Sequence, residues 1–357
     1  MKNKIAIIAL LLIAGCNQPE QNIDIVSKSK NTVITKAIEY ASPGVVSIFA
    51  SQEITKFSKL GPFTLKSEDI ANSSGSGFII SKDGYILTSA HVVSNFYDPS
   101  ISLASGRAFF TAVLPGGDSY NAYIVGADTR SDVALLKIDS EKEFQYCILG
   151  NSDEIIVGEW VVTLGNPKSL FSAANNQPIA SAGIISAINT NFGIDIKTNR
   201  LMNNMIQIDA PLNSGNSGGP LVDINGEVLG INTFKRDGEN LGFAIKINYA
   251  KKIAEELKLK GFIDRRFSFG INAVSYRYGQ NGDIGLYINS VDYDSSGDNK
   301  ALYKGDIIIG LEGYQIQTYD EIQLVLANTD ARPGDTIELR ILRENDIKVV
   351  KLVLGST

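Results

Sequence analysis

The sequence predicts a mainly β protein in which paired antiparallel barrels are followed by a second, smaller domain. Its 357 residues exceed the length of one ordinary domain, and its 33 glycines suit many tight connections between strands. Short apolar or alternating runs, separated by turn residues, recur from residue 45 to residue 233. Alternation with a period of two is typical of half-buried strands, so these runs are the predicted strands of the barrels.

The predicted barrel strands are residues 45–50, 78–80, 85–88, 121–125, 134–138, 160–164, 179–188, 205–209 and 228–233. A longer irregular stretch, residues 52–72, separates the first two of them. Two interpretations of this stretch stay open, a regulatory or lid loop and simple disorder.

A helix is predicted after the last of these strands. From residue 248, one apolar stripe is formed by Ala250, Ile253, Ala254 and Leu257, with charged residues on the opposite face. Gly261 is suited to end this helix, because glycine adopts the left-handed conformation of a helix C-terminus without strain. The helix is expected to close the first part of the chain.

The second domain is predicted from residue 266 onward. Thr318 and Glu321 have the spacing of a capping box, which predicts a helix through about Asn328. Two closing strands are predicted at residues 336–343 and 347–354.

Three residues form a candidate catalytic set. The chain contains a single histidine, His91, which follows a predicted strand. Ser217 lies among small residues, whose backbone can approach a substrate closely and whose N–H groups can converge on one oxygen. Asp132 lies between them in sequence, at the mouth of a buried strand. The order His, Asp, Ser is that of the chymotrypsin-type triad.

Each of these residues also has a plainer explanation. A lone histidine in a β-rich chain is more often a partly buried side chain, and a glycine-rich string is usually a flexible loop. An aspartate before a strand is usually a turn or cap residue, and Asp128 competes with Asp132 for the catalytic role. The triad hypothesis is favoured because three signals occur in one order, each beside a hydrophobic strand that would hold it rigidly.

A series of further motifs accompanies the three candidates. They are Ser74-Gly75-Ser76-Gly77-Phe78-Ile79-Ile80, Asp83-Gly84-Tyr85-Ile86-Leu87-Thr88, Gly126-Ala127-Asp128, Val157-Gly158-Glu159-Trp160-Val161-Val162, Leu164-Gly165-Asn166-Pro167, Gln207-Ile208-Asp209-Ala210 and Leu241-Gly242-Phe243-Ala244-Ile245. In this order they resemble the landmarks of the HtrA/Deg family of trypsin-like serine proteases with one C-terminal PDZ domain. The resemblance runs from about residue 37 to residue 354 and is more specific than any single motif.

This resemblance implies a fold and a domain organisation. The fold would be a chymotrypsin-like double antiparallel β-barrel protease followed by an α+β PDZ domain. The protease domain would span residues 36–262 and the PDZ domain residues 266–355. ATP-independent cleavage of unfolded or misfolded polypeptides, by a homotrimer or larger assembly, is the expected activity.

The chemistry of an acyl transfer assigns a role to each residue type. The hydroxyl of Ser217 is a poor nucleophile alone, so it needs a base, and imidazole suits that task near neutral pH. His91 is the candidate base, and Asp132 would fix its tautomer and stabilise the imidazolium. The backbone N–H groups of Gly215 and Ser217, with Asn216 between them, are the candidate oxyanion donors.

Two departures from digestive trypsin-like enzymes concern activation and specificity. Asn216 stands where those enzymes carry the aspartate that pairs with a new N-terminus, so control by loop rearrangement is expected instead. Pro211 stands where trypsin carries its acidic specificity residue, so cleavage after small or medium aliphatic residues is expected. The candidate substrate-binding residues are Pro211, Leu212, Asn213, Asn232, Thr233 and Phe234.

The second domain carries a candidate peptide-binding segment. The stretch Ile284-Gly285-Leu286-Tyr287-Ile288 resembles the PDZ loop that surrounds the carboxylate of a peptide C-terminus. A purely structural gate remains the alternative to peptide binding. The apolar helix residues Ile322, Val325 and Leu326 either line the pocket wall or fill the core.

The N-terminus resembles a bacterial lipoprotein signal peptide, residues 1–15. A short basic region precedes an apolar run at residues 5–13 that is too short to span a bilayer, and small residues then precede Cys16. Cys16 would be acylated and hold the protein on a membrane of the bacterial cell envelope, with the periplasmic side favoured. Residues 16–35 would be a flexible tether. A buried helix and an ordinary secretory signal are the alternatives.

Composition argues against several other classes. A net charge of −6 without a basic cluster argues against nucleic acid as a partner. With one histidine and two cysteines, neither a metal site nor a cofactor is expected, and Cys147 is interpreted as a buried core thiol. Three functions stay open: an active endoprotease, a non-cleaving chaperone or peptide-binding lipoprotein that uses the same cleft, and a structural surface lipoprotein.

Overall fold

A computed structural model describes residues 32–60, 63–94, 108–165, 177–195, 198, 200–213, 215–235, 241–278, 283–292 and 301–356. Its helices are α1 (Val33–Ala41), followed by a 3-10 turn (Ser42–Gly44), α2 (Ala90–Val93), α3 (Ile247–Lys260) and α4 (Tyr319–Asn328). None of the helices in these ranges is long and apolar enough to cross a membrane.

The strands follow in chain order. They are β1 (Val45–Leu60), β2 (Phe63–Ile79), β3 (Tyr85–Ser89), β4 (Ala108–Val113), β5 (Ser119–Asp128), β6 (Val133–Ile138), β7 (Trp160–Gly165), β8 (Ile179–Thr190), β9 (Ile194–Asp195), β10 (Arg200–Leu201), β11 (Met205–Ile208), β12 (Pro220–Val222), β13 (Val228–Lys235), β14 (Gly242–Lys246), β15 (Phe267–Ser268), β16 (Ile271–Tyr278), β17 (Asp283–Val291), β18 (Ile307–Leu311), β19 (Tyr314–Gln315), β20 (Thr336–Arg343), β21 (Asp346–Val353) and β22 (Gly355–Ser356).

Two closed antiparallel barrels and one open sheet organise these strands. The first barrel has the order β1-β2-β3-β6-β5-β4, and the second has the order β11-β14-β13-β12-β7-β8. The open sheet has the order β16-β17-β18-β20-β21, with β19 paired to β18. The predicted fold, a chymotrypsin-like double barrel followed by a PDZ domain, is therefore confirmed.

The predicted strands all overlap observed ones. Within the two barrels the strands that the sequence does not predict are β4, β12 and β14, and elsewhere they are β9, β10, β15, β16, β17, β18, β19 and β22. The prediction of an irregular stretch at residues 52–72 is wrong. There, β1 and β2 continue as one antiparallel ladder, with register running from Val45 opposite Phe78 to Leu60 opposite Phe63. Each arm satisfies the backbone groups of the other, so regular pairing needs no apolar face to be visible in the sequence.

One apolar cluster spans the two barrels, and each barrel also has a cluster of its own. Leu87 and Leu135 from the first barrel and Leu164 and Ile231 from the second belong to the same buried cluster. The apolar stripe of α3 is buried in this cluster, as predicted, and the helix ends at Gly261 in the left-handed conformation, at φ 80°. The helix thus covers the seam between the barrels.

The second domain has its own core. The capping box of α4 is present, since Thr318 Oγ1 accepts from the backbone N–H of Glu321 and the Glu321 carboxylate accepts from that of Thr318. Ile322 and Leu326 are fully buried in the domain core, while Val325 is half-buried. Of the two roles considered for these residues, Ile322 and Leu326 therefore fill the core.

A buried charge cluster joins the two domains. Arg265, in the segment between α3 and β15, donates to both carboxylate oxygens of Asp128 at 2.5 and 2.8 Å and to Asp330 at 2.6 Å. Asp330 also accepts from Tyr249 and Arg332. Burial alone would raise the pKa of Asp330, but Arg265 and these other donors outweigh it and hold that pKa below its usual value. The linker arginine thereby forms ion pairs with one aspartate from each domain.

Asp330→Asn is expected to lower the stability of the domain contact by about 1–2 kcal/mol at pH 7, because hydrogen bonds to a charged group are lost. A carboxyl with a lowered folded-state pKa stabilises the fold above its unfolded pKa of about 3.9, and that contribution disappears as the pH falls through the folded-state value. Urea unfolding at pH 7 and pH 3 should show a larger difference in stability between wild type and variant at pH 7 than at pH 3. Asp264→Asn, in an exposed pair with Arg266, is the control and should show little change at either pH. An equal gap at both pH values would contradict this role of the charge.

Candidate active site

His91 and Asp132 meet at one end of the first barrel. His91 lies on the single-turn helix α2, directly after β3, and Asp132 lies in the turn before β6. The ring Nδ1 of His91 is 2.9 Å from Oδ2 and 3.0 Å from Oδ1 of Asp132. The backbone N–H of His91 also donates to Oδ1 at 2.9 Å. The carboxylate therefore fixes both the position of the histidine and the nitrogen that carries its proton.

Asp132 is buried and strained. Its φ of 57° is in the left-handed region, which costs energy for a non-glycine residue and often marks a functional site. Thr233 Oγ1, from β13 of the second barrel, donates to Oδ2 at 2.5 Å. Burial would raise the pKa of Asp132, but the His91 hydrogen bond and charge, the charge of Arg200 and the Thr233 hydroxyl together lower it. Asp132 is thereby held as a carboxylate.

Asp128, the competing aspartate, has a different role. One of its oxygens accepts from the backbone N–H of Ser131 at 2.9 Å, and both oxygens bind Arg265. It shapes the turn that leads to Asp132 and contacts the linker rather than His91.

Ser217 is held by the first barrel although it belongs to the second. Its backbone carbonyl accepts from the N–H of Ser76 at 2.9 Å, and Ser76 Oγ donates to the carbonyl of Gly215 at 2.5 Å. A Cβ at Gly218 would lie 2.2 Å from Ser76 O and from Thr88 Oγ1, so only glycine fits. The small-residue motif around Ser76 therefore holds the serine loop in place through hydrogen bonds and close packing.

The hydroxyl of Ser217 donates to the main-chain oxygen of Thr233 at 3.0 Å. Within the described part of the chain it makes no hydrogen bond to His91. All three predicted catalytic residues nevertheless lie at one site, because Thr233 contacts both Ser217 and Asp132. The serine hydroxyl points toward β13.

The candidate oxyanion donors lie in the same loop. Gly215 has a φ of 105°, a conformation that favours glycine, and the N–H of Asn216 donates to Asn213 O at 3.0 Å. Among the described residues, no hydrogen bond from the N–H of Gly215 or Ser217 is seen, and their role as oxyanion donors stays a prediction.

Two of the predicted substrate-binding side chains are buried and serve the scaffold. Asn232 is fully buried and donates to Pro220 O at 3.0 Å, so it joins β12 to β13 and does not reach a substrate. The Thr233 hydroxyl is used by Asp132. The partner of a buried carboxylate cannot be recognised from a single hydroxyl in the sequence, which is why Thr233 was assigned to substrate binding.

The remaining predicted residues border an apolar region. Phe234 is half-buried and stacks on Phe243, with ring centroids 5.0 Å apart. The side chain of Leu212 fills the space beside Gly242, where an added Cβ would lie 3.1 Å from it. Pro211 and Asn213 are exposed on either side of Leu212. Phe234 and Phe243 belong to the apolar cluster between the barrels, and Leu212 packs against the cluster inside the second barrel.

Arg200 was missed by sequence reasoning. Its Nη1 lies 3.4 Å from Asp132 Oδ2 and 3.5 Å from His91 Nδ1. Arg200 is 68 residues from Asp132 in sequence, and no motif surrounds it, so only the folded chain brings the two together.

Comparisons with known proteins agree with this geometry. A family model described as a trypsin-like peptidase domain matches residues 75–231, and one described as a PDZ domain matches residues 252–354. A curated protein from Halomonas elongata, a probable periplasmic serine endoprotease DegP-like, is 32% identical over 90% of this chain. The chain belongs to the HtrA/DegP family of trypsin-like serine endoproteases.

Other members of the HtrA/DegP family show the same relation. The serine protease Do-like HtrA of Bacillus subtilis is 34% identical over 90% of this chain and 72% of its own length. This chain spans 70% of the Halomonas elongata protein but only 50% of a Rickettsia prowazekii relative that is 34% identical. The solved structure of the HtrA-type protease AlgW with a decapeptide superposes with a TM-score of 0.60 at 27% identity, over 90% of this chain and 98% of that one.

The structure places the predicted peptide-binding segment of the PDZ domain inside β17. This strand pairs with β16 on one side and β18 on the other, so its backbone groups are already used. A peptide cannot add as a strand to a position between two paired strands. Residues 284–288 therefore do not form an accessible peptide edge, although the sequence Ile-Gly-Leu resembles one.

Cys147 is a buried core thiol, as predicted. Its Sγ lies 3.5 Å from Ala41 O, and burial raises its pKa to about 12. A thiol with so high a pKa is not nucleophilic at neutral pH.

Thr233→Val is expected to lower kcat for peptide hydrolysis by about 10- to 100-fold, because a hydrogen bond to a charged group contributes roughly 1.5–3 kcal/mol. Thr233→Ser keeps the hydroxyl and should keep most of the activity, which controls for changes in packing. Steady-state kinetics on one chromogenic peptide measure both. Equal activity of the two variants would contradict the role assigned to the hydroxyl.

Proposed function

We propose that this chain is an ATP-independent serine endoprotease of the cell envelope that cleaves unfolded or misfolded polypeptides through an acyl-enzyme. The observation that carries the proposal is the set of hydrogen bonds that joins His91, Asp132 and Thr233. Ser217 is held beside them by its hydrogen bond to the backbone of Ser76. Such an ordered carboxylate, imidazole and hydroxyl set is what nucleophilic catalysis by serine needs.

The proposed reaction begins when the Ser217 hydroxyl turns from Thr233 O to Nε2 of His91. Its Oγ then attacks the scissile carbonyl carbon while the proton moves to His91. Negative charge on the carbonyl oxygen is met by the N–H groups of Gly215 and Ser217. His91 next gives the proton to the leaving amine, and the acyl-enzyme is hydrolysed by a water molecule that His91 deprotonates.

Specificity is proposed to be for small or medium aliphatic residues before the cleaved bond. The support is Pro211, which stands where a carboxylate would select basic residues, next to the apolar side chain of Leu212. An apolar pocket without a fixed charge does not reward a lysine or arginine side chain.

The PDZ domain is proposed to bind peptide C-termini along β16 rather than β17. Among the described strands, β16 pairs only with β17, so its other edge is open, and α4 packs beside it. Gly270, just before β16, has a φ of 61° and precedes the strand where a carboxylate-binding turn would lie. An open edge beside a helix is the arrangement used in peptide addition to a sheet.

Domain limits and location complete the proposal. We propose a lipoprotein signal at residues 1–15, acylation of Cys16, a tether at 16–35, the protease at 36–262 and the PDZ domain at 266–355. The support is the small-residue sequence before Cys16 and the periplasmic description of the Halomonas elongata relative. Assembly into homotrimers or larger particles is proposed from the family alone.

A second candidate is a chaperone that uses the same cleft without cutting. The hydrogen bond from Ser217 to Thr233 O favours it, since a serine held away from its base is not activated. The same bond is equally compatible with a resting protease, and the two functions differ in their reactivity toward fluorophosphonates.

Hydrolysis of casein by the chain is expected to stop in Ser217→Ala and in His91→Ala, each with a loss of about 10⁶ in kcat. Mass spectrometry of the products should show cleavage after aliphatic residues. Equal melting temperatures of the variants serve as the folding control. Cleavage that persists in Ser217→Ala would refute the assignment, and folding assistance without cleavage in all three proteins would support the chaperone.

A peptide with an apolar C-terminal residue is expected to bind the PDZ domain, and its C-terminal amide about tenfold more weakly, because the carboxylate is the recognised group. Gly270→Val should weaken binding, since valine does not readily adopt a positive φ. Ile284→Thr, in the inner strand β17, is the matched control and should leave binding unchanged. Fluorescence anisotropy measures all four. If Ile284→Thr weakens peptide binding and Gly270→Val does not, the peptide-binding groove would instead lie at residues 284–288.

A further inference from the structure

The catalytic pair has a charged neighbour that the proposed mechanism does not use. The guanidinium of Arg200 lies 3.4 Å from Asp132 and 3.5 Å from Nδ1 of His91, and a quarter of its side chain is exposed. The other ionisable group in contact with His91 in the described residues is Asp132 itself. The histidine is thus flanked by one negative and one positive charge.

The position of Arg200 is fixed by the hairpin that carries it. Arg200 pairs with Asp195 across β9 and β10, and the N–H of Leu201 donates to Arg130 O at 2.8 Å, in the turn that leads to Asp132. Asn203 donates to the carbonyl of Asn328, at the end of α4. The backbone of Arg200 and of the residues after it is therefore anchored, which fixes the approach of the Arg200 side chain to the pair.

Asp132 does not need Arg200 to be held as a carboxylate. It already accepts from the backbone N–H of His91, from the His91 ring and from Thr233. Three donors satisfy a buried carboxylate. The charge of Arg200 adds to these donors in lowering the pKa of Asp132, and the same charge lies 3.5 Å from the ring of His91.

We propose that Arg200 is a positioning residue that restrains turnover by opposing the positive charge that His91 acquires during the reaction. The inference rests on the proposed protease function, in which His91 becomes an imidazolium as it takes the serine proton. A cation 3.5 Å from Nδ1 disfavours that state more than it disfavours the neutral ring. Arg200 thus raises the barrier of the chemical step and leaves substrate binding unchanged.

The test compares the full chain with Arg200→Gln, Arg200→Leu and Arg200→Lys. The first two remove the charge with different shapes, and the third keeps it. Arg266→Gln removes an arginine from an exposed pair with Asp264 and is the matched control. A chromogenic peptide cleaved after an aliphatic residue gives kcat and KM from pH 5 to pH 9, and the rate of fluorophosphonate labelling reports serine activation without turnover.

The uncharged variants are expected to show kcat raised on the order of tenfold with an unchanged KM. Arg200→Lys and Arg266→Gln should resemble wild type. An unchanged or lower kcat in both uncharged variants would overturn the inference, and so would a similar rise in Arg266→Gln. Wild type that neither cleaves nor labels while folded would instead refute the protease function, and these results are distinguishable.

Discussion

The buried carboxylate of Asp132 is the group on which the arrangement of the site depends. Its hydrogen-bond donors come from α2 of the first barrel and from β13 of the second, so the two barrels are tied together at one charge. A buried charge is tolerated only while its donors stay in place. Any shift of one barrel against the other would leave this carboxylate poorly solvated, and the apolar seam covered by α3 resists the same movement.

Buried charges also join the protease domain to the PDZ domain. Arg265 lies between Asp128 and Asp330, and Asp128 shapes the turn that ends in Asp132. Polar contacts therefore run from the linker arginine through this turn to the carboxylate that we propose is catalytic. These contacts link the position of the PDZ domain to the geometry of the proposed catalytic pair, His91 and Asp132.

Local signals in the sequence were sufficient for the double barrel, α3, the capping box of α4 and the three catalytic candidates, since each depends on spacing or composition within a few residues. Contacts between residues that are far apart in the sequence could not be predicted from it. Arg200 and Thr233 reach Asp132 from 68 and 101 residues away, and the inner position of β17 is a property of the whole sheet. The β1–β2 hairpin was missed because backbone pairing leaves little trace in polar sequence.

That hairpin is longer than the other strands of its barrel. Beyond Gln52, the last β1 residue with a described partner in β4, β1 and β2 remain paired to Leu60 and Phe63. With a rise of about 3.3 Å per residue, this part of β1 adds roughly 25 Å to the ladder. At 16 residues, β1 is about three times as long as a common strand. The pairing therefore keeps the backbone groups of an unusually long strand satisfied.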